Sequence, residues 1–184
     1  MSQALPDPLA RRTTLRLATL AREATLVLTV ALAIAASARI VFPLGSTPVP
    51  VTAQTFVVLL AGVIVGARRA GGGALTYLAF GVAGVPWFAT GGATLGYLAG
   101  FVPAAHVVGR AADTGRLTTR RSALVVMAGA HALIHLLGAT WLALFLGVGP
   151  VAALTLGVVP FLVGDAVKVV AAAATAPSLV RLRG

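Results

Sequence analysis

Apolar residues run along this chain in long blocks rather than in alternation. No charged residue interrupts 40–67, 70–109 or 122–164, and each stretch exceeds the roughly 20 residues an α-helix needs to cross about 30 Å of hydrocarbon. The two longer runs must hold two spans each. A transmembrane β-barrel would alternate apolar and polar positions in segments of about ten residues, whereas continuous runs rich in Ala, Leu, Val and Gly predict helices. The expected spans are 23–41, 52–67, 71–85, 95–111, 122–146 and 160–178. The expected fold class is therefore an all-α integral membrane protein with six transmembrane helices. Its transmembrane domain covers 23–178, between a basic N-terminal segment, 1–22, that is disordered or interfacial, and a basic tail, 179–184.

The last apolar stretch, 149–178, is too long for one span, at about 45 Å if wholly helical. Proline suits a first helical turn and not an interior. The last helix is therefore expected to begin near Pro160, with 147–159 an outer loop or short re-entrant piece.

Composition agrees with the bilayer as solvent: 59% of residues are hydrophobic, 10% are charged, and the mean hydropathy is +1.00, more apolar surface than one soluble core of this size hides. Charge then orients the spans. Arg11, Arg12, Arg16 and Arg22 precede the first, Arg68 and Arg69 join the second to the third, and Arg110, Arg116, Arg120 and Arg121 join the fourth to the fifth. Arg181 and Arg183 follow the sixth, and the alternate loops 43–51, 86–94 and 147–159 carry no charge. Twelve of the thirteen arginines thus fall on one face, which the positive-inside rule makes cytoplasmic, with both termini there. Arg39 alone sits at the outer end of the first helix. The net charge of +10 reads as topology rather than as a nucleic-acid surface, because no basic stripe with interleaved aromatics exists. The rival view, a secretory signal ending at Ala36-Ser37-Ala38, would leave five spans and spoil the asymmetry. No cysteine is present, so thiol chemistry is absent.

Between Arg121 and Arg181 the only formally charged residues are Asp165 and Lys168. Spaced i, i+3, they share one helix face. Intramembrane charge is costly enough that it marks a partner, a wet cavity or a ligand site. The alternative to a site is a packing clip in which the two only neutralise each other. As a site, an ionised Asp165 accepts hydrogen bonds and Lys168 donates them, which suits a small ligand carrying both N–H donors and a carbonyl or carboxylate. The proline-stiffened loop 43–50 is expected to act as a lid, and the segment 90–97, with Gly92, Thr94 and Tyr97, to offer close backbone approach. Gln54 and Arg39 are further candidates. Trp87, Tyr97 and Trp141 lie near the outer level, where an aromatic belt would place them anyway.

Two other function classes can be weighed. A nucleotide-driven pump within the chain is excluded, since a P-loop needs Lys directly after Gly and Lys168 follows Val167. An intramembrane metalloenzyme would use His131 and His135, spaced i, i+4 as zinc ligands can be. Their spacer Ala-Leu-Ile supplies no glutamate base, and no third ligand is evident nearby, so no metal, cofactor or catalytic residue is expected. Hydrogen bonding is the commoner fate of such histidines.

Five segments appear in an order that resembles a known family: V-P-V-T-A-Q-T at 49–55, L-A-G-V-I-V-G-A-R-R at 60–69, G-V-P-W-F-A at 84–89, G-Y-L-A-G-F at 96–101 and P-F-L-V-G-D-A-V-K at 160–168. Together they look like the BioY family, the biotin-binding S components of energy-coupling-factor (ECF) transporters. The resemblance implies a six-helix substrate-capture subunit of a prokaryotic cell membrane with biotin as the transported ligand. It also implies that Asp165 and Lys168 hold biotin's polar groups, and that partners comprise a membrane coupling subunit and two ATPase subunits. An S component or independent carrier for another small vitamin shares the architecture. The family's longer glycine-rich segment ending G-P-T-G-G-Y-L is here only G-G-A-T-L-G-Y-L. The family's small-residue spacing on the first helix would fall on Ala31 and Ala35, which are expected to face the coupling subunit.

Overall fold

The structure, a computed structural model, describes residues 8–88 and 92–183. Seven α-helices follow in order: α1 (Pro8–Ser37), α2 (Gln54–Val65), α3 (Ala67–Val82), α4 (Leu95–Asp113), α5 (Arg120–Leu146), α6 (Pro150–Gly157) and α7 (Leu162–Arg183). A two-stranded antiparallel hairpin, β1 (Val41–Phe42) and β2 (Val51–Thr52), pairs Val41 with Thr52 between α1 and α2. Single 3-10 turns at Gly92–Thr94 and Val159–Phe161 lead into α4 and α7.

Local chemistry accounts for the helix ends. Thr119 caps α5 by accepting a hydrogen bond from the Ser122 amide while Ser122 Oγ accepts one from the Thr119 amide, so two of the helix's otherwise unpaired donors are satisfied. The same helix stops at Gly147, whose φ of 66° is a left-handed conformation that favours glycine. Between α2 and α3 one residue, Gly66 with φ 82°, makes the whole connection. Pro150 starts α6 and Pro160 sits in the turn before α7, both where a missing N–H costs nothing.

Among the described residues four stretches are long and apolar enough to cross a membrane: Thr14–Ser37, Gly92–Asp113, Arg120–Leu146 and Pro150–Arg183. Their outward surfaces carry exposed Leu28, Leu32, Val125, Leu136, Leu144, Val163 and Val167, as lipid-facing helices should. Helix α2 is shorter than the expected span 52–67, while α3 is about as long as the expected 71–85 but begins four residues earlier. At 12 and 16 residues they are about 18 and 24 Å long, short of a full crossing, because the turn at Gly66 and the ends near Gln54 and Val82 cut them down. The last helix starts close to Pro160 as expected, but Pro150–Gly157 of the outer segment is itself helical. Residues 8–22, expected as irregular or interfacial chain, continue α1 as helix. Residues 1–7 of that segment, and residue 184, lie outside the described residues.

Helix α4 is central, packing on α2, α3 and α5, while α1 packs on α3 and α2, and α7 on α5 and α2. Small residues permit the close approach: α2 meets α4 where Gly62 lies against Ala105, Val108 and Gly109, the contact that helix association in lipid favours. Ala31 and Ala35 serve the same purpose. Both are buried in the chain's own core, so they do not face a coupling subunit: the small side chains expected to admit a partner helix instead admit helices of this chain. The outward face of α1 carries Thr25, Leu28, Thr29, Leu32, Ala33 and Ala36.

At the arginine-rich end two ionic clamps tie the helices. Arg69 donates from Nε and Nη2 to both oxygens of Glu23, linking α3 to α1. Asp113 of α4 accepts from the Ala67 amide at 2.9 Å and from Arg183 Nη2 at 2.7 Å, and Arg183 Nη1 also donates to the Val63 carbonyl. These contacts tie the middle of α1, at Glu23, and the end of α7, at Arg183, to the face opposite the hairpin. Orientation is open to direct measurement. In intact cells, Gly149→Cys should react with a membrane-impermeant maleimide and Thr118→Cys should not; both positions are exposed. Labelling at 118 would reverse the topology.

Candidate functional site

The pocket lies at the end opposite the arginines. The hairpin, the end of α1, the first turns of α2, α4 and α7 and the middle of α5 surround it. Its cavity volume is about 170 Å³, below the roughly 300–1,000 Å³ of most small-molecule sites, and the space rises to about 760 Å³ when the open mouth is counted. Val41, Val49 and Val51 of the hairpin region, Leu98 and Phe101 of α4, Ile134 of α5 and Phe161 give it apolar walls. The polar groups are few and gathered at one place.

Asp165 is the centre of that group. Because α7 begins at Leu162, Asp165 falls in the first helical turn, where the helix dipole favours negative charge, one turn earlier than a start at Pro160 would put it. Its side chain is only 9% exposed. Lys168 Nζ donates to Oδ1 at 3.0 Å and to Thr55 Oγ1 at 3.3 Å. His135 Nε2 lies in hydrogen-bond geometry with Oδ2 at 3.0 Å, and His131 Nε2 is 2.9 Å from the same oxygen. One carboxylate thus faces one ammonium and two imidazoles, drawn from α5 and α7, while α2 supplies the hydroxyl that steadies Lys168.

Tyr97 stands beside the histidines, its ring edge-on to His135, and its hydroxyl donates to the Gly157 carbonyl at 2.7 Å. It reaches there because α5 carries Gly138 against the ring, where any Cβ would overlap it. Gln54 is buried and lines the pocket with both ends of its amide engaged: Nε2 donates to Tyr77 Oη at 2.8 Å and Oε1 accepts from Thr52 Oγ1 at 3.0 Å.

Of the candidates expected from sequence, Asp165, Lys168, Tyr97, Thr94 and Gln54 line one pocket. Three do not. The Arg39 guanidinium lies over the Trp87 ring at 4.8 Å, on the exposed outer surface, a cation–π contact that needs no ligand. Trp141 Nε1 donates to the Gly92 carbonyl at 2.8 Å and its ring stacks on Phe145. Trp141 and Gly92 therefore satisfy one another outside the cavity, fastening the turn before α4 to α5. Residues 89–91 of the shortened glycine-rich segment lie outside the described residues.

The site holds two residues that sequence reasoning left out of it. His131 and His135 were expected to form ordinary hydrogen bonds with no third acidic group nearby; the fold brings Asp165 from α7 onto both. A usable signal was present, since the span 122–178 contains four ionisable side chains, His131, His135, Asp165 and Lys168, and apolar surroundings leave such groups little choice but each other. Thr55 and Phe161 give no signal beyond their place within the quoted motifs 49–55 and 160–168.

A family model described as the BioY family matches residues 9–184. The chain belongs to the BioY family. Among BioY proteins, the biotin transporter BioY of Rhizobium etli is 33% identical, the match covering 71% of this chain and 77% of that protein. The probable biotin transporter BioY of Pyrococcus horikoshii is 36% identical, over 72% of this chain and 81% of its own. A crystal structure of the S-component for biotin from an ECF-type ABC transporter superposes with a TM-score of 0.73 over 90% of this chain and 92% of that one, at 20% identity. That likeness establishes a shared fold, and the architecture built here from helix packing is the BioY one.

The Tyr97 contact yields a paired prediction within one helix. Gly129 of α5 has open space where a Cβ would go, whereas Gly138 meets the Tyr97 ring. Gly129→Val should leave thermal unfolding in detergent nearly unchanged. Gly138→Val should destabilise by at least about 1–3 kcal/mol, the usual scale for overpacking, and equal melting temperatures for the two variants would refute the packing.

Proposed function

We propose that the pocket captures biotin from outside the membrane and that the chain is the substrate-binding subunit of an ECF-type transporter. Family membership, the biotin transporters among its relatives and the shared fold support the reading. One observation carries it: a carboxylate oxygen and an ammonium nitrogen 3.0 Å apart at the polar end of an otherwise apolar pocket. A cyclic urea offers an N–H donor and a carbonyl acceptor side by side, so one edge of a ureido head answers both groups. The head is neutral, which leaves the buried pair balanced. The thioether ring and hydrocarbon tail then lie against Leu98, Phe101, Ile134 and Phe161, and the tail carboxylate extends toward the mouth under the hairpin.

Energy comes from partners in this reading, a membrane coupling subunit and two ATPase subunits, because the chain has no phosphate-binding loop of its own. Any close contact with the coupling subunit uses an outward surface and not the buried Ala31 and Ala35. The protein acts by binding and release, without catalysis.

The competing account makes Asp165 and Lys168 a structural clip. Biotin titration separates the two. Removing one member of a buried charge pair commonly costs about 3–5 kcal/mol, or roughly two to four decades of affinity. Asp165→Asn and Lys168→Met should each extract as folded protein and lose biotin binding on that scale, and the double variant should not regain it. Near-native affinity in the double variant would refute the assignment.

A further inference from the structure

Two imidazole nitrogens and a carboxylate oxygen are ligands that a borderline divalent metal accepts. Here His131, His135 and Asp165 offer one such atom each, all within 4.8 Å of one another. The Nε2 atoms stand 2.9 and 3.0 Å from the shared Oδ2. Ligand atoms around tetrahedral zinc, with bonds of ~2.0–2.2 Å, stand about 3.3 Å apart. The two short sides need open by only a few tenths of an ångström to reach that spacing, and the histidine nitrogens already lie within 4.8 Å of one another.

A second observation points to a ligand. His131 is buried, at 7% side-chain exposure, and neither ring nitrogen has a hydrogen-bond partner among the described residues: Nε2 lies close to Oδ2 but out of line for donation. Burying an imidazole with both nitrogens unused is costly. As placed here, Oδ2 is aligned with the His135 ring and not with the His131 ring, whereas an ion between them uses both imidazole lone pairs and the oxygen together. The other carboxylate oxygen already belongs to Lys168, so the ammonium does not stand in the ion's place.

We propose that His131, His135 and Asp165 form a divalent transition-metal site, suited to Zn²⁺, at the base of the outward pocket, and that metal and organic ligand exclude one another because both need Asp165. Coordination through Nε2 leaves each ring's proton on Nδ1. Both Nδ1 atoms are buried without a hydrogen-bond partner among the described residues, and loss of such an outer partner commonly weakens a metal site by about 10–100-fold. The ion is therefore an exchangeable occupant and competitor, not a resident cofactor. The exclusion rests on the biotin reading above; the metal site does not.

The test uses protein purified without a polyhistidine tag, titrated with ZnCl₂ by calorimetry and with CoCl₂ by visible absorption. Expected are one zinc per chain, the intense absorption of tetrahedral cobalt, and loss of both in His131→Gln and in His135→Gln. His106→Gln, at the remaining, exposed histidine, should keep both. In unaltered protein, free zinc at ten times its own Kd should raise the apparent biotin Kd about tenfold. Absence of zinc binding, absence of the cobalt spectrum, or zinc binding that survives in the two site variants overturns the metal site. Unchanged biotin affinity at saturating zinc overturns the exclusion. Failure of zinc-free protein to bind biotin overturns the capture reading instead and leaves the zinc and cobalt results to decide the metal site.

Discussion

A carboxylate buried among apolar helices costs several kcal/mol unless its lone pairs are met, and the architecture at the outer end is organised around meeting those of Asp165. One oxygen receives Lys168 from the next turn of the same helix; the other faces imidazoles from α5. Lys168 is in turn held by Thr55 of α2. The register of α7 against α5 and α2 follows: a slide by one turn, about 5.4 Å, would keep Lys168 on Asp165 but part the carboxylate from the two imidazoles and Lys168 from Thr55. The 3-10 turn at Val159–Phe161 starts α7 late enough to put Asp165 in its first turn, where the backbone amides at the helix start add their own favourable field.

The opposite end uses charge differently. Glu23–Arg69 and Asp113–Arg183 are only partly buried, so each ion pair is screened and adds little on its own. Their worth lies in geometry. Asp113 also takes the Ala67 amide and Arg183 the Val63 carbonyl, so one cluster closes over the single-residue turn at Gly66 and joins α2, α3, α4 and α7. Between the two ends the contacts described are those of alanine and glycine faces. The result is a bundle pinned by charge where the arginines are and left with an apolar-walled opening where the loops carry none.

That contrast also explains what could be read from the chain alone. Span placement, the orientation of the arginines and the isolation of Asp165 and Lys168 are properties of the solvent, because lipid penalises every charge it meets, so they are written into the sequence as long silences and brief exceptions. Packing partners are not written that way. An alanine pair spaced by four fits any close helix, and nothing in Ala31 or Ala35 says whether that helix belongs to this chain or to another. Arg39 and Trp141 were candidates by level in the membrane and Gly92 by its accessible backbone, yet neither property specifies azimuth: Arg39 found the Trp87 face, and Trp141 found the Gly92 carbonyl. His131 and His135 failed in the opposite sense, since their spacing was visible but their acid arrives from 30 residues away, across a helix interface.

The buried pair also limits what the pocket accepts. Asp165 and Lys168 already neutralise each other, so an anionic head placed against them would meet an ammonium committed to Asp165 and a carboxylate that repels it, and a cationic head the reverse. Either would carry net charge into a region with apolar walls, where Coulomb energies are weakly screened. A neutral head with an adjacent donor and acceptor avoids both penalties, substituting its own hydrogen bonds for the direct contact between the two residues. Any charged group on the same ligand is then best kept at the mouth, where water can reach it. On the proposed biotin reading, selection in this pocket works through balance as well as shape: the site tolerates polarity that cancels and rejects charge that does not.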